Sequence, residues 1–250
     1  MKMSERELMR DLYRIGAIKF GEFTLKSGKK SPYYIDLRIL PSFPRVLVKV
    51  GKVMGEMIEA SGFRPTCLCG IPAAGLAIAT ACGIKTNLPV IYTRKEPTVY
   101  KDLATQLRNS ISEGKCRKEE TPGMNKAIEL IENLSGFKIH GIARYVDGEL
   151  QDGATCLIVD DLITTADSKL EARDLIMLEA ERKNIKVNIQ GVCVLLDREQ
   201  GGREALQKER LELYSVATIR GVAKSLYELN VLNSTKYKVI IDYTESEKPK

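Results

Sequence analysis

An aliphatic run that ends in two adjacent acids and then turns through hydroxyls into a polar helix is the strongest chemical signal in the chain. Residues 156–172 read CLIVDDLITTADSKLEA. Parallel sheets bind ligands at the carboxyl ends of their strands. A strand ending at Asp160 and Asp161 and followed by a helix places the amides of Leu162, Ile163, Thr164, Thr165, Ala166, Asp167 and Ser168 around a helix N-terminus, where they form an anion cradle. The hydroxyls of Thr164, Thr165 and Ser168 add donors. Two carboxylates beside a bound phosphate suit holding the hydroxyls of a sugar, or acting near a magnesium ion. A plainer account fits the same residues: an N-capped helix after a strand, with acids at the surface.

Further clusters lie elsewhere. FTLKSGKKSPYY carries Lys26, Lys29 and Lys30 on a turn followed by Tyr33 and Tyr34; GIPAAGLAIATA carries Gly70, Ala74 and Gly75 between a strand and a small-residue helix. Arg94, Lys95 and Glu96 form a charged triplet, Lys138 precedes His140-Gly141, and LLDRE ends a strand in Asp197 and Arg198. Each has a bland account. The lysines could be solvated turn charges, the glycines could serve a tight turn, and His140 and Arg198 could be surface residues.

In their order along the chain these pieces are more specific than any one of them. The acidic motif resembles the phosphoribosyl-pyrophosphate (PRPP) signature of the type I phosphoribosyltransferases. With FTLKSGKKSPYY, GIPAAGLAIATA, RKE, K-x-H-G and LLDRE, the set resembles the orotate phosphoribosyltransferases. That resemblance implies transfer of the 5-phosphoribosyl group from PRPP to orotate, giving orotidine 5-monophosphate and pyrophosphate in pyrimidine (UMP) biosynthesis. It implies Asp160 and Asp161 on the ribose hydroxyls, and Lys26, Arg94, Lys95, Lys138 and His140 against the departing pyrophosphate. It implies the loop at Gly70 and Ala74 on pyrophosphate, Tyr34 and Ile35 stacked on the orotate ring, Arg198 on the base, and the 162–168 turn on the 5-phosphate. Breaking the anomeric bond leaves an oxocarbenium-like sugar, and the orotate nitrogen is already anionic. Catalysis is then mainly positioning and electrostatics. His140 could also donate a proton, with a reference pKa of about 6.5. Mg²⁺ is implied as an ion carried mainly on PRPP oxygens, with no protein side chain assigned as its ligand. The implied assembly is a homodimer whose catalytic loop reaches the partner's site. Two rivals keep the fold: a phosphoribosyltransferase for another base, and a non-catalytic PRPP-sensing regulator.

The chain departs from the family pattern in two places. Ala166 stands where glycine is usual, which costs little at negative φ but is strained in the left-handed region. Asp167 adds an acid that must turn away from a phosphate or weaken its binding. The second departure is the stretch 97–136, which separates RKE from K-x-H-G, elements that the family joins almost directly. Its two helical patterns make it either an enlargement of the loop that excludes water from the site or a peripheral hairpin.

Regular elements must position these residues. Ser4 followed by Glu7 predicts a capped helix running through about Ile18, and a hairpin of short strands follows, the whole segment 1–40 forming a small hood. Phe43–Ala60 has helical period and Gly62 ends it. Continuous apolar strands then alternate with helices: TCLCG, LPVIYTR, ATCLIVDD, VNIQGVCVLLD and LELYSVAT. This predicts one α/β domain over 1–250, a parallel sheet flanked by helices. KYKVIIDY reads as a last strand, and 244–250 as a frayed tail.

Composition sets the outer bounds. The 250 residues are 44% hydrophobic and 29% charged, as in globular domains. A net charge of +6 with no concentrated basic block favours an anionic small molecule over nucleic acid. One histidine excludes sites that need two, HExxH among them. No apolar run approaches the roughly 18 residues of a membrane span. The six cysteines form no CxxC pair and read as small buried hydrophobes, apart from Cys116 in a polar stretch, which together predict a cytoplasmic protein.

Overall fold

A computed structural model describes residues 3–24, 28–94, 107–108, 110–114, 121–135 and 144–247. Helix α1 (Met3–Arg14) begins one residue before Ser4, so Ser4 lies inside the helix and does not cap it. The helix also stops short of Ile18. Gly16 takes φ +75°, and the amides of Gly16 and Ala17 bond back to Tyr13 and Leu12, which closes the last turn and frees Ile18 to start a strand. Strands β1 (Ile18–Thr24) and β2 (Lys30–Ile35) form an antiparallel hairpin, which is the expected hood. A 3₁₀ segment, Leu37–Ser42, leads into α2 (Pro44–Ala60), whose first position is proline.

The rest alternates as the apolar runs require: β3 (Cys67–Gly70), α3 (Ala74–Thr86), β4 (Val90–Thr93), α4 (Thr121–Ser135), β5 (Val146–Asp147), β6 (Ala154–Ile163), α5 (Asp167–Lys183), β7 (Val187–Asp197), α6 (Gly202–Lys208), β8 (Glu212–Thr218), α7 (Ile219–Glu228) and α8 (Ser234–Ser246). Strand order is β5-β4-β3-β6-β7-β8. The pairs β4-β3, β3-β6, β6-β7 and β7-β8 are parallel; the short edge strand β5 is antiparallel to β4 and makes the sheet mixed. Leu68, Leu157, Val159, Cys193 and Leu195 share one continuous core with α1, α2, α3 and α7. Cys156 and Ile158 alternate to the other face, where α5 lies across β4 to β7.

KYKVIIDY does not form a strand. Asn233 caps α8 by accepting from the Lys236 amide, and the helix runs over this segment against α7 and β2. Helical spacing buries Ile240 and Thr244, so β-branched composition is overridden by a cap and a packing face. Thr244 is fully buried and the helix continues to Ser246, so the stretch read as a frayed tail is anchored in its first half; residues 248–250 lie outside the described part.

The chain divides into two compact units. One comprises Met1–Thr93 with Val146–Lys250; the other, Arg94–Tyr145, contains α4 and the stretch 97–136. Within the second, the Arg94 amide donates to the Tyr145 carbonyl, which ties its two ends together.

Candidate active site

At the carboxyl edge of the first unit's sheet, β6 and β3 bring two loops together. Gly70 closes β3, and the Ile71 amide bonds to the Val159 carbonyl of β6. The chain then turns through a cis Pro72–Ala73 peptide into α3, which starts without a side-chain cap. Gly75 sits so close to β6 that a Cβ there would lie 2.6 Å from Asp160 Oδ1 and 2.9 Å from the Val159 carbonyl. A Cβ at Gly70 would meet the Leu76 backbone at 2.8 Å. The two glycines therefore allow the first turn of α3, with buried Ala74, to lie directly on the acid-bearing end of β6.

The two acids differ in environment. Asp160 is 5% exposed, and both its oxygens are engaged: Oδ1 accepts from the Asp161 amide at 2.8 Å and Oδ2 from Lys169 Nζ at 2.7 Å. Lys169, 3% exposed, donates also to the Leu162 carbonyl at 2.6 Å and to Ser168 Oγ at 3.2 Å. Asp161 is half-buried and accepts from the Leu162 amide at 2.8 Å. Burial first, and then the neighbouring Asp160 charge, push the Asp161 carboxyl up to about 7. Arg38 lies within electrostatic reach of Asp161; its guanidinium grips Asp36 through Nε and Nη2, both at 2.7 Å. The Asp36–Arg38 bond holds the Asp36 carboxyl below the usual range and raises the Arg38 guanidinium above its own.

The anion cradle is shorter than the sequence suggests. Leu162 and Ile163 still belong to β6, and the Leu162 amide is spent on Asp161, so the turn proper starts at Thr164. Ala166 precedes α5 at φ −90°, ψ −3°, a negative φ that spares alanine the strain of the left-handed region, and the helix has no side-chain cap there. Its first-turn amides point outward, as at any helix N-terminus. Asp167 accepts the Thr165 hydroxyl at 2.7 Å, which takes that hydroxyl's proton out of the set of free donors.

Arg198 follows β7, its amide bonded to the Ile163 carbonyl at 2.9 Å. Its guanidinium lies 5.2 Å from the Tyr33 ring centroid, and Nε is buried without a hydrogen-bond partner. Tyr33 is 1% exposed and meets Tyr243 of α8 edge-on at 5.7 Å. Strand alternation puts Tyr34 on the other face of β2, exposed and 5.7 Å from Phe23, while Ile35 is partly buried against the core. Tyr33 is thus the β2 side chain that meets Arg198.

No family model matches the chain. The orotate phosphoribosyltransferase of Chlamydia caviae is 31% identical over 240 residues, covering 94% of this chain and 94% of that protein. The chain belongs to the orotate phosphoribosyltransferase family. The Pyrococcus furiosus orotate phosphoribosyltransferase is 29% identical over 86% of this chain and 93% of its own length. The fold agrees with that of Leishmania donovani UMP synthase, with a TM-score of 0.69 and 24% identity over 97% of this chain and 42% of that one.

Against the residues expected of an orotate phosphoribosyltransferase, the first unit gathers Gly70, Ala74, Asp160, Asp161, the turn 164–168 and Arg198 at or near one sheet edge. Arg94 begins the second unit, and Lys26, Lys95, Lys138 and His140 lie outside the described residues. Sequence reasoning missed Lys169, Tyr33 and Arg38. Lys169 had a signal: it shares a helical stripe with buried Ala172, Ile176 and Ala180, an unusual place for a lysine.

Proposed function

We infer that the chain transfers the 5-phosphoribosyl group of PRPP to orotate, giving orotidine 5-monophosphate and pyrophosphate. The observation that carries this reading is the end-to-end likeness to a known orotate phosphoribosyltransferase, joined to an acid pair with a glycine-backed loop and a helix N-terminus beside it. In this reading the amides of 164–168, with Thr164 and Ser168, hold the 5-phosphate. The Gly70–Ala74 loop and the start of α3 face pyrophosphate. Asp161, the less engaged acid, accepts from the ribose hydroxyls and favours positive charge on the sugar as the anomeric bond opens, with Asp160 behind it. Arg198, its guanidinium beside the Tyr33 ring, is assigned to the base, with Tyr34 and Ile35 on the orotate ring by the family resemblance. The family resemblance assigns Lys26, Arg94, Lys95, Lys138 and His140 to the departing pyrophosphate.

Mg²⁺ belongs to the same reading. Asp160 and the Leu162 carbonyl are already held by the Lys169 ammonium, while Asp161 and the Thr164 hydroxyl are hard oxygen groups that would tolerate the ion, which would be carried mainly on PRPP oxygens. When bound it neutralises phosphate charge. A homodimer and a cytoplasmic setting complete the reading. Buried free thiols at Cys67, Cys69, Cys82, Cys156 and Cys193 suit a reducing compartment, and among the described residues no helix is long and apolar enough to cross a membrane.

The test is PRPP- and Mg²⁺-dependent loss of orotate, run beside a panel of purine and pyrimidine bases. Orotate consumption with stoichiometric pyrophosphate is expected. Consumption of another base alone, or of none at high enzyme concentration, would overturn the reading.

A further inference from the structure

We propose that Lys169 is a positioning residue for the transfer reaction, the internal counter-ion that fixes Asp160 and leaves Asp161 as the one carboxylate presented to the sugar. The proposal deepens the phosphoribosyl-transfer reading and rests on it.

Three contacts carry it. Lys169 Nζ reaches Asp160 Oδ2 at 2.7 Å, the Leu162 carbonyl at 2.6 Å and Ser168 Oγ at 3.2 Å. One ammonium, with three donors, thereby joins the last acid-bearing residues of β6 to the first turn of α5. Both carboxylate oxygens are held: Oδ1 takes the Asp161 amide and Oδ2 the Lys169 ammonium, and α3 comes so near that a Cβ at Gly75 would lie 2.6 Å from Oδ1, so turning Asp160 toward a ligand would break these bonds. An ion pair this buried is a poor source of stability, because desolvation offsets most of the attraction. What it supplies is a fixed orientation and a local charge balance. Two neighbouring carboxylates repel, and without a cation one of them protonates. Lys169 supplies that cation from behind, outside the space where a ligand's own charges act.

Among the described residues, few charged groups surround the pair. Asp160 and Asp161 lie on β6, Lys169 on α5, and Arg38 comes from the 3₁₀ segment. At the end of β7, Asp197 is occupied by the Glu199 amide and Arg203. The neighbouring ends of α3 and β3 bring no ionisable side chain except the buried thiol of Cys69. Lys169 is among the groups that favour the ionised form of Asp161. Its removal therefore acts on the reaction through protonation as well as through geometry.

The experiment compares wild type, Lys169→Met and Lys169→Gln for melting temperature, for PRPP and orotate KM, and for kcat across pH 5.5 to 9.5. The expected result is a kcat about ten-fold or more lower at pH 7, a KM for orotate within two-fold of wild type, and an acid limb moved upward by about one pH unit. Part of the lost rate returns by pH 9. A loss equal at every pH, or a profile identical to wild type, overturns the proposal. If the methionine variant does not fold, the glutamine variant, which keeps a donor but no charge, gives the same pH comparison. Failure of the transfer reading itself is separate, since it leaves wild type inactive on orotate.

Discussion

Asp160 and Lys169 face each other across the turn between β6 and α5, Oδ2 to Nζ at 2.7 Å, and neither side chain is more than 7% exposed. One acid of the pair is thus already committed to a partner, and its neighbour is left more open. Burial and the Asp160 charge place the Asp161 carboxyl near 7. Because the ionised form is the useful acceptor for sugar hydroxyls, kcat/KM for PRPP is expected to rise with pH through about 7. In Asp161→Asn this limb disappears and kcat falls by roughly a hundred-fold, about 2.7 kcal/mol of transition-state stabilisation. Steady-state pH profiles check both.

The same group gives the ligand-free protein a pH-dependent stability of opposite sense. Its folded pKa is raised above the unfolded value of 3.8, so the folded state keeps a proton that the unfolded chain has released. The stabilising contribution is complete below about pH 4, shrinks as pH rises toward 7, and is gone above it. Allowing for solvent at a half-buried side chain, roughly 2 kcal/mol is at stake. Urea denaturation at pH 5 and pH 8 should therefore differ in wild type, and the Asp161 share of that difference should vanish in Asp161→Asn.

Gly75→Ala tests the close packing of α3 on β6. The new methyl would fall 2.6 Å from Asp160 Oδ1 and 2.9 Å from a backbone carbonyl, and the backbone cannot step aside. Overpacking of this kind costs about 1–3 kcal/mol. Melting temperature should drop, and kcat should fall beyond the stability loss because the acid itself is displaced. Gly62→Ala, a left-handed glycine with open space around it, serves as a control that alters stability alone.

How far the sequence goes is clear from particular elements. The strands were legible because apolar runs bounded by glycines and charges are buried on both faces, and the acid pair was legible because a parallel strand must end where ligands bind. The C-terminal helix was not, since KYKVIIDY carries strand-like composition and its Asn233 cap lies just outside the apolar pattern. Lys169 was only half legible: its helical stripe with Ala172, Ile176 and Ala180 points inward, but the partner it meets is set by the tertiary return of α5 onto β6. Likewise Tyr33 and Tyr34 are adjacent aromatics, and which one meets Arg198 is decided by the register of the β1–β2 hairpin.

With the 164–168 turn assigned to the 5-phosphate, Asp167 is expected to trade helix stability against phosphate affinity. An acid in the first turn of α5 complements the helix dipole by about 0.3–1 kcal/mol, yet it places negative charge beside the turn assigned to the 5-phosphate. Asp167→Asn should lower the KM for PRPP by about three-fold, more at low salt, while lowering the melting temperature slightly. Ala166→Gly should change neither by much, because φ is already negative at that residue. Isothermal titration with PRPP at two salt concentrations distinguishes the charge effect from a change in loop conformation.

The C-terminal helix supports the base end from behind. Tyr243 stands edge-on to Tyr33, Arg220 of α7 bridges Glu199 and Glu245, and Lys29 of the hood meets Glu247, which also accepts from Gln200 at 3.4 Å. These contacts converge on the segment 198–200 and on the ring beneath the Arg198 guanidinium. Most are exposed ion pairs of little individual worth; the buried aromatic contact and the anchoring of Ile240 and Thr244 carry the packing. Tyr243→Ala should leave a cavity beside Tyr33, cost about 2–4 kcal/mol and loosen Arg198. The kinetic signature expected is a several-fold rise in the KM for orotate with the KM for PRPP nearly unchanged, because the turn assigned to the 5-phosphate lies between β6 and α5, away from this wall. Equal rises in both constants would mean that α8 supports the whole sheet edge and has no particular hold on the base end.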